Sequence, residues 1–279
     1  MIKTAVQTGV LGSGDIKPQS GILIAKNIYN KYSDLDAKNF LWAAAVEGVP
    51  DKEAIYYLCR ELKMAGLFDK MTAIYPFIGT TSTSQMYNLR NPQDTNAAFR
   101  LSFVGGWTHN SNGAQPNGTN AYANTFVIPT LLNSTHISVY LRTNTTGLFN
   151  DIGHATSSTP NSIILARYLD RFYGNINQST DIFVANTDSR GFFLVSRTAS
   201  NAVGLYRNGS LLTTAANAST AIPTTTITIS AWQQAAGVFT RYSNRQVALS
   251  SIGSGLTRTE ASDFYTIVQN FQTIIGRAV

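Results

Sequence analysis

Residues 203–212, VGLYRNGSLL, contain the clearest local signal of the fold. Asn208-Gly209 stands between two runs rich in β-forming residues. This pair supplies the positive φ angles that a type I′ hairpin turn needs. The stretch therefore predicts two antiparallel strands joined by a tight turn.

Short runs of alternating apolar and polar residues lie on both sides of this hairpin, separated by clusters of Asn, Gly, Ser and Pro. Strands so short and so regularly spaced, with turn-rich connections, indicate an antiparallel β-sandwich. We predict strands at Phe99–Val104, Tyr122–Ile128, Thr135–Arg142, Ser162–Tyr168, Phe172–Ile176, Gly191–Arg197, Ala202–Arg207, Thr225–Ala231 and Arg245–Ser251.

Helical periodicity appears at both ends of this β region. Residues 33–75 predict a helical hairpin, interrupted by Gly48-Val49-Pro50. Thr257 and Glu260 form a capping-box pattern that opens a helix over 258–275, which we expect to pack on one end of the sandwich. The sandwich and this helix together span 76–279. Two short helices bury too little to be stable alone, so the hairpin needs the sandwich, a second copy or another partner.

Residues 1–32 have no regular pattern, and we interpret them as an irregular N-terminal arm that is a candidate anchor. Every lysine lies at or before Lys70, whereas the later arginines are spaced singly along the chain. Nucleic-acid binding usually shows clustered Lys and Arg, so the net charge of +6 does not indicate a nucleic-acid partner. The longest apolar run, over residues 40–46, is too short for membrane insertion.

Two motifs carry a resemblance to known sandwiches. Residues 205–209, LYRNG, resemble the LYxNG hairpin of laminin-G-like and concanavalin-like domains. Residues 256–265, LTRTEASDFY, resemble the LTxxExxxLY segment that follows a later strand in those folds. The resemblance implies a mainly β fold: a laminin-G-like antiparallel jelly roll, here with an N-terminal helical hairpin and a C-terminal helix.

A wider set of motifs is similar to a group of phage virion proteins, over about residues 50–279. These motifs are Gly66–Met71, Ala73–Phe77, Ala97–Leu101, Gly105–His109, Pro116–Asn120, Asp188–Phe193 and Ser196–Ser200. The similarity implies a non-enzymatic structural protein of a bacteriophage virion, assembled in the host cytoplasm. It would be exposed on the particle as a capsid decoration, head-fibre or tail component. The N-terminal region would attach to other virion proteins of the capsid or tail, and the sandwich would project.

The same resemblance bears on the oligomeric state. Phage fibres are often trimers, and the marginal helical hairpin favours a partner. We therefore expect a homo-oligomer, with a trimer as one candidate.

No local pattern indicates catalysis. His109, His136 and His154 lack metal-ligand spacing, and neither a nucleophile elbow nor a P-loop is present. A glycosidase with carboxylates from distant strands stays open as the least favoured alternative. We expect a protein that is not an enzyme and that uses neither a metal nor another cofactor.

One stretch, residues 105–122, suggests ligand binding. Aromatic rings and Asn amides are the groups with which proteins recognise sugars, and this loop carries both. The candidate ligand-binding residues are Trp107, His109, Asn117, Asn120 and Tyr122. The alternative function is therefore a carbohydrate-binding adhesin that recognises host-cell surface glycans. The competing interpretation is structural, with Trp107 in the core and the Asn residues in turns.

Overall fold

The computed structural model describes residues 32–279, so the arm expected over residues 1–32 lies outside the described residues except for its last position. The helices are α1 Leu35–Ala43, α2 Val49–Met64, α3 Ser82–Gln85 and α4 Arg258–Ile274. The strands are β1 Met71–Tyr75, β2 Ser102–Val104, β3 Trp107–Asn110, β4 Gly113–Pro116, β5 Tyr122–Asn124, β6 Thr135–Leu141, β7 Ile152–Ala155, β8 Asn161–Tyr168, β9 Arg171–Gln178, β10 Ile182–Ala185, β11 Gly191–Ala199, β12 Ala202–Arg207, β13 Ser210–Ala215, β14 Thr228–Ile229, β15 Trp232–Ala235, β16 Val238–Thr240 and β17 Val247–Gly253.

These strands form two sheets that pack face to face. Within residues 32–279, eight strands form one sheet in the order β13-β12-β11-β6-β17-β4-β3, with β1 also paired to β17. Nine strands form the other, in the order β10-β9-β8-β7-β14-β5-β2, with β15 beside β7 and β16 beside β15. The pairings are antiparallel apart from one parallel bridge between Gln233 and His154. The expected mainly β jelly-roll sandwich with helices at both ends of the chain is confirmed.

The hairpin of β12 and β13 has the predicted turn. Asn208 and Gly209 have φ angles of 47° and 74°, both positive as a type I′ turn requires. The side-chain Oδ1 of Asn208 also accepts the N–H of Phe192, 2.8 Å away, which ties the turn to β11.

The middle of the eight-stranded sheet is covered on both faces. Phe193 and Val195 of β11 pack inward against the nine-stranded sheet, whereas Phe192 and Leu194 pack outward against helices. Because both faces are buried, this part of β11 is a continuous apolar run instead of an alternating one. Residues 34–279 therefore form a helical layer, a middle sheet and an outer sheet.

The helical layer lies across a sheet face and not at the end of the sandwich, where we expected the C-terminal helix. The ring of Phe264 in α4 meets the outward ring of Phe192 edge-on, with centroids 5.3 Å apart. The helical hairpin shares the same apolar cluster, and Asn270 of α4 donates from Nδ2 to the hydroxyl of Tyr57 in α2 over 2.9 Å. The hairpin is thus packed on the sandwich of its own chain.

The boundary between helices and sandwich also differs from the expected residue 75. Helix α2 ends at Met64, and residues 71–75 form β1, in which Tyr75 pairs with Ser250 of β17. Four of the five β1 side chains are buried, so the strand shows no alternation that could have revealed it. No helix of residues 32–279 is long and apolar enough to cross a membrane.

Candidate functional site

The five residues proposed from the sequence come together at one edge of the sandwich. There β2 and β5 of the nine-stranded sheet lie beside β3 and β4 of the eight-stranded sheet. The indole Nε1 of Trp107 donates to the main-chain oxygens of Val104, over 3.1 Å, and Tyr122, over 3.3 Å. Trp107 therefore joins edge strands of the two sheets.

The rings at this edge pack mainly on each other. Phe103 meets Trp107 and His109 edge-on, with centroid distances of 5.2 and 4.6 Å. Nδ1 of His109 lies 2.7 Å from Oε1 of Gln85, and partial burial lowers the pKa of His109. Phe103 and Trp107 also pack against the inner core. These side chains close the edge of the core.

The two Asn side chains hold the shape of the β4–β5 loop. Oδ1 of Asn117 accepts the N–H groups of Thr119, Asn120 and Ala121 over 3.0 to 3.2 Å. Nδ2 of Asn117 donates to Oδ1 of Asn120 over 2.7 Å, and the same oxygen accepts the N–H of Gly106. Most of the polar capacity of Asn117 is therefore used inside the loop.

Tyr122 stands beside this loop with one ring face covered. Its ring stacks on Phe239 with centroids 4.0 Å apart and planes 16° from parallel. A ligand could reach only the other face. The five predicted residues do lie together. Within the described residues, their contacts mainly close the core and hold the loop in shape.

A larger concavity lies on the outer face of the eight-stranded sheet, near the β13 edge, and has a volume of about 470 Å³. We call it the β12 groove. Ser196, Gly204 and Thr214 lie in one row across its floor, because Gly204 pairs with Ser196 of β11 and with Thr214 of β13. Asn201, in the β11–β12 turn, and Arg258, at the start of α4, also line the groove.

Gly204 and Tyr206 set the shape of the floor. A Cβ on Gly204 would lie 2.8 Å from Cε2 and 3.0 Å from the hydroxyl oxygen of Tyr206, so the tyrosine ring extends along the strand over the glycine. Tyr206 is only 6% exposed, yet its hydroxyl makes no hydrogen bond within residues 32–279. Burial raises the pKa of Tyr206, so the hydroxyl stays protonated at neutral pH and can donate.

Arg258 carries the only charge among the described residues that line the groove. Its side chain is exposed and makes no ion pair or hydrogen bond in the described part of the chain. Glu260, two residues further on, is already paired with Lys70 over 2.5 Å and caps the N–H of Thr257 over 2.9 Å. The positive charge of Arg258 is therefore not neutralised by this acid.

A serine–histidine contact elsewhere resembles part of a hydrolase site but is inaccessible. Nε2 of His136 lies 3.0 Å from Oγ of Ser251, which in turn lies 2.6 Å from Oγ of Ser138. All three side chains are fully buried, and burial lowers the pKa of His136 to about 4. A substrate could not reach them, so we assign this network to the stability of the sheet.

The carboxylates that could support glycoside hydrolysis are mostly engaged in structural contacts. Asp94 binds Arg100, Asp151 binds Arg245, Asp170 binds Arg167, Asp188 binds Arg190, and Asp181 accepts from Asn175. Within residues 32–279, no group of three His, Cys, Asp or Glu side chains could hold a metal ion.

Sequence reasoning missed the β12 groove, although it singled out both motifs that form it. Gly204 and Tyr206 of the first motif lie at the floor, and Thr257 and Arg258 of the second form the wall. By itself, the first motif predicts a hairpin turn and the second predicts a helix cap. Only the folded chain shows that they lie next to each other.

No protein-family model and no curated protein match the chain. Solved structures do. Domain 4 of AbnA, a GH43 extracellular arabinanase from Geobacillus stearothermophilus in complex with arabinotriose, is 15% identical, with a TM-score of 0.47 over 70% of this chain and 98% of that one.

Two botulinum neurotoxin domains are also similar in fold. The serotype D binding domain is 8% identical, with a TM-score of 0.50 over 71% of this chain and 52% of that one. The receptor-binding domain of the C/D mosaic serotype is 9% identical, with a TM-score of 0.50 over 71% and 51%. This chain thus spans about half the length of these neurotoxin domains, and the likeness shows a shared β-sandwich fold.

Proposed function

We propose that this protein is a non-catalytic carbohydrate-binding adhesin and that the β12 groove is its sugar site. One observation carries the proposal: the hydroxyl of Tyr206, on a side chain 94% buried, has no partner in an open groove of about 470 Å³. This hydroxyl faces the open groove and is free to donate a hydrogen bond to a ligand that enters it.

The chemistry of the groove suits a sugar. Its volume falls within the range of small-molecule sites. The Tyr206 ring covers Gly204 and offers its hydroxyl, Thr214 of the floor adds a second hydroxyl, and Asn201 adds an amide. Neutral hydroxyl and amide groups match the alternating donors and acceptors of sugar hydroxyls.

A binding role also agrees with the state of the carboxylates, which are occupied by arginine and asparagine partners. The neurotoxin domains of similar fold are described as binding and receptor-binding domains. That description supports a binding role for a sandwich of this kind, while the choice of ligand for this chain rests on the groove.

The sequence resemblance supports a place for this adhesin on a phage particle. In this proposal residues 1–32 anchor the chain and the sandwich is exposed, so that the groove meets glycans of the host-cell surface. The protein would be a virion component that contacts capsid or tail proteins through its N-terminal region.

Binding of the full chain to a glycan array, followed by titration with the best glycan, tests the function. Tyr206→Phe removes only the hydroxyl and should weaken binding about tenfold, because one hydrogen bond is lost. Gly204→Val adds a side chain that collides with the Tyr206 ring, so it should displace the tyrosine hydroxyl and weaken binding strongly. Tyr168→Phe, on the nine-stranded sheet, is the matched control and should bind like the wild type. An array without any bound glycan, or unchanged binding by both groove variants, would contradict the proposal.

A second candidate role is suggested by the helical hairpin. Its apolar side chains Leu35, Trp42, Val49 and Met64 are all largely exposed, and Trp42 is 87% exposed. Large exposed apolar side chains are candidates for a protein contact. We propose that the exposed side of the hairpin around Trp42 docks on another virion protein, which fits the decoration or tail role that the sequence resemblance implies.

Incorporation of the protein into particles tests this docking. Trp42→Ala should fold normally, since its side chain is exposed, but should be depleted from purified particles. Leu131→Ala, which changes an exposed apolar residue of a sandwich loop, should be incorporated like the wild type. Normal incorporation of Trp42→Ala would contradict the docking role.

A further inference from the structure

We infer that the β12 groove recognises a sugar that bears a carboxylate, with Arg258 as its charge partner. This inference rests on the proposed carbohydrate-binding function and names the class of ligand. It depends on four donor groups at one end of the groove and on the lack of a competing acid among the residues that line it.

Arg258 is the first donor. A guanidinium group presents a planar pair of N–H bonds that matches the two oxygens of a carboxylate. Several other arginines of this sandwich bind a carboxylate of the same chain, as Arg190 binds Asp188 over 3.0 Å. Arg258 has none within residues 32–279, so its pairing capacity is available to a ligand.

The first turn of α4 adds two more donors. The capping box uses the N–H groups of Thr257 and Glu260, which bind Oε2 of Glu260 and Oγ1 of Thr257. The N–H groups of Arg258 and Thr259 remain without a hydrogen bond in the described structure. The positive end of this 17-residue helix favours a negative group at the same place.

The hydroxyl of Tyr206 is the independent fourth donor. It lies over the floor, 3.0 Å from where a Cβ on Gly204 would stand, and Arg258 is close enough to lower the tyrosine pKa against the effect of burial. An unpaired hydroxyl that faces the groove, together with an unpaired guanidinium, makes this end of the groove rich in donors. A ligand rich in acceptors fits it.

Neighbouring charges leave this preference intact. Glu260 is held by Lys70 on the far side of the cap, and Ser196 has its hydroxyl engaged with the backbone of Leu256 over 2.8 Å. A neutral sugar would satisfy the tyrosine and the rim groups but leave Arg258 unneutralised. An acidic sugar, such as a uronic or sialic acid, satisfies both.

The test compares matched pairs of oligosaccharides that differ only in one carboxylate: uronate against hexose, and sialylated against unsialylated. The full chain should bind at least one acidic member about tenfold or more tightly than its neutral counterpart. Arg258→Gln should remove this preference by weakening the acidic member about 10- to 100-fold, with little effect on the neutral one. Arg258→Lys, which keeps the charge but loses the planar fork, should fall between the two.

Controls separate the possible results. Arg171→Gln changes an exposed arginine of β9 and should behave like the wild type. Free acetate at millimolar concentration should not compete, because the sugar and not the carboxylate alone fills the groove. Equal affinity for acidic and neutral members would overturn the acidic preference and leave carbohydrate binding in place. No binding by any member, acidic or neutral, would overturn both.

Discussion

Tyr206 lies across Gly204, so a Cβ on residue 204 would stand 2.8 Å from Cε2 of the ring and 3.0 Å from its hydroxyl oxygen. These residues are two apart on one strand and share the outward face of the sheet. The glycine therefore does not serve a turn; it makes space for a tyrosine that packs into the helical core on one side and faces the groove on the other.

This contact predicts coupled stability effects. Gly204→Ala should lower the free energy of unfolding by about 1–3 kcal/mol, because the added methyl group collides with a ring held by the core. In a Tyr206→Leu background, which lacks the colliding atoms, the same substitution should cost clearly less. Urea denaturation of the two single variants and the double variant measures the coupling. An equal cost in both backgrounds would show that the ring moves aside freely.

The buried ion pair of Asp151 and Arg245 predicts a much larger effect. Both side chains are fully buried, 2.7 Å apart, and Arg245 also donates to the main-chain oxygens of Thr145 and Arg167. Asp151→Asn leaves the guanidinium charge without its counter-ion and should cost about 3–5 kcal/mol. Asp188→Asn, which disrupts the more exposed pair with Arg190, is the control and should cost about 1 kcal/mol or less. Similar losses in the two variants would contradict this difference.

The buried arginines also change how the composition is interpreted. After Lys70 the chain contains arginines but no lysine. Arg197, Arg245 and Arg277 are buried in this region and donate to main-chain oxygens, for example from Arg197 to Ser200 over 2.7 Å. A guanidinium has five fixed donors and can satisfy several carbonyls at once, which a lysine ammonium cannot do in the same geometry. Part of the arginine bias therefore follows from packing.

The sequence predicted most of the long strands because their turns and alternation are local properties. It missed the short hairpin of β3 and β4, which pair with each other across a tight turn, because their residues include Gly, Pro and Asn, which are depleted in strands. It also predicted too long a strand over Thr225–Ala231, where only Thr228–Ile229 pairs with other strands. There Thr225 and Thr228 bond main-chain oxygens through their side chains, over 2.8 Å in each case, and replace part of the ladder.

The β12 groove could not be predicted in the same way. Its floor and its wall come from residues about fifty positions apart, and no local pattern states that α4 begins beside β12. By contrast, the predicted residues Trp107 to Tyr122 do lie together because one short stretch of chain contains them all. Their closeness in sequence was enough to predict that these side chains lie together. That their polar groups bind the loop itself is seen only in the folded structure.

The hydrogen bonds of Asn117 within the β4–β5 loop predict an effect on stability. Asn117→Ala removes an oxygen that accepts three main-chain N–H groups and should destabilise the protein by about 1–3 kcal/mol. Asn112→Ala, at the exposed turn between β3 and β4, is a suitable control, since it should change stability by less than about 0.5 kcal/mol. Thermal unfolding measures both. If Asn117→Ala kept full stability but lost glycan binding, the edge loop and not the groove would be the sugar site.

Acid should destabilise the protein through its buried histidines. Burial lowers the pKa of His136 and of His154 to about 4, from an ordinary value of 6.5. Between pH 6.5 and pH 4 these histidines are protonated in the unfolded chain but stay neutral in the native state. The stability is therefore complete above about pH 6.5 and is lost as the pH falls toward 4, by at most about 3 kcal/mol for each histidine.

His136→Gln isolates one of these contributions. Glutamine can still bond Ser251 but does not titrate, so the unfolding free energy of the variant should fall less steeply between pH 6.5 and 4 than that of the wild type. The contacts of Glu260 with Lys70 and Thr257 lower the pKa of this carboxyl, so Glu260 adds little to the slope above pH 4. Urea denaturation at several pH values gives both curves. Parallel curves for the two proteins would mean that protonation of His136 has no part in the acid sensitivity.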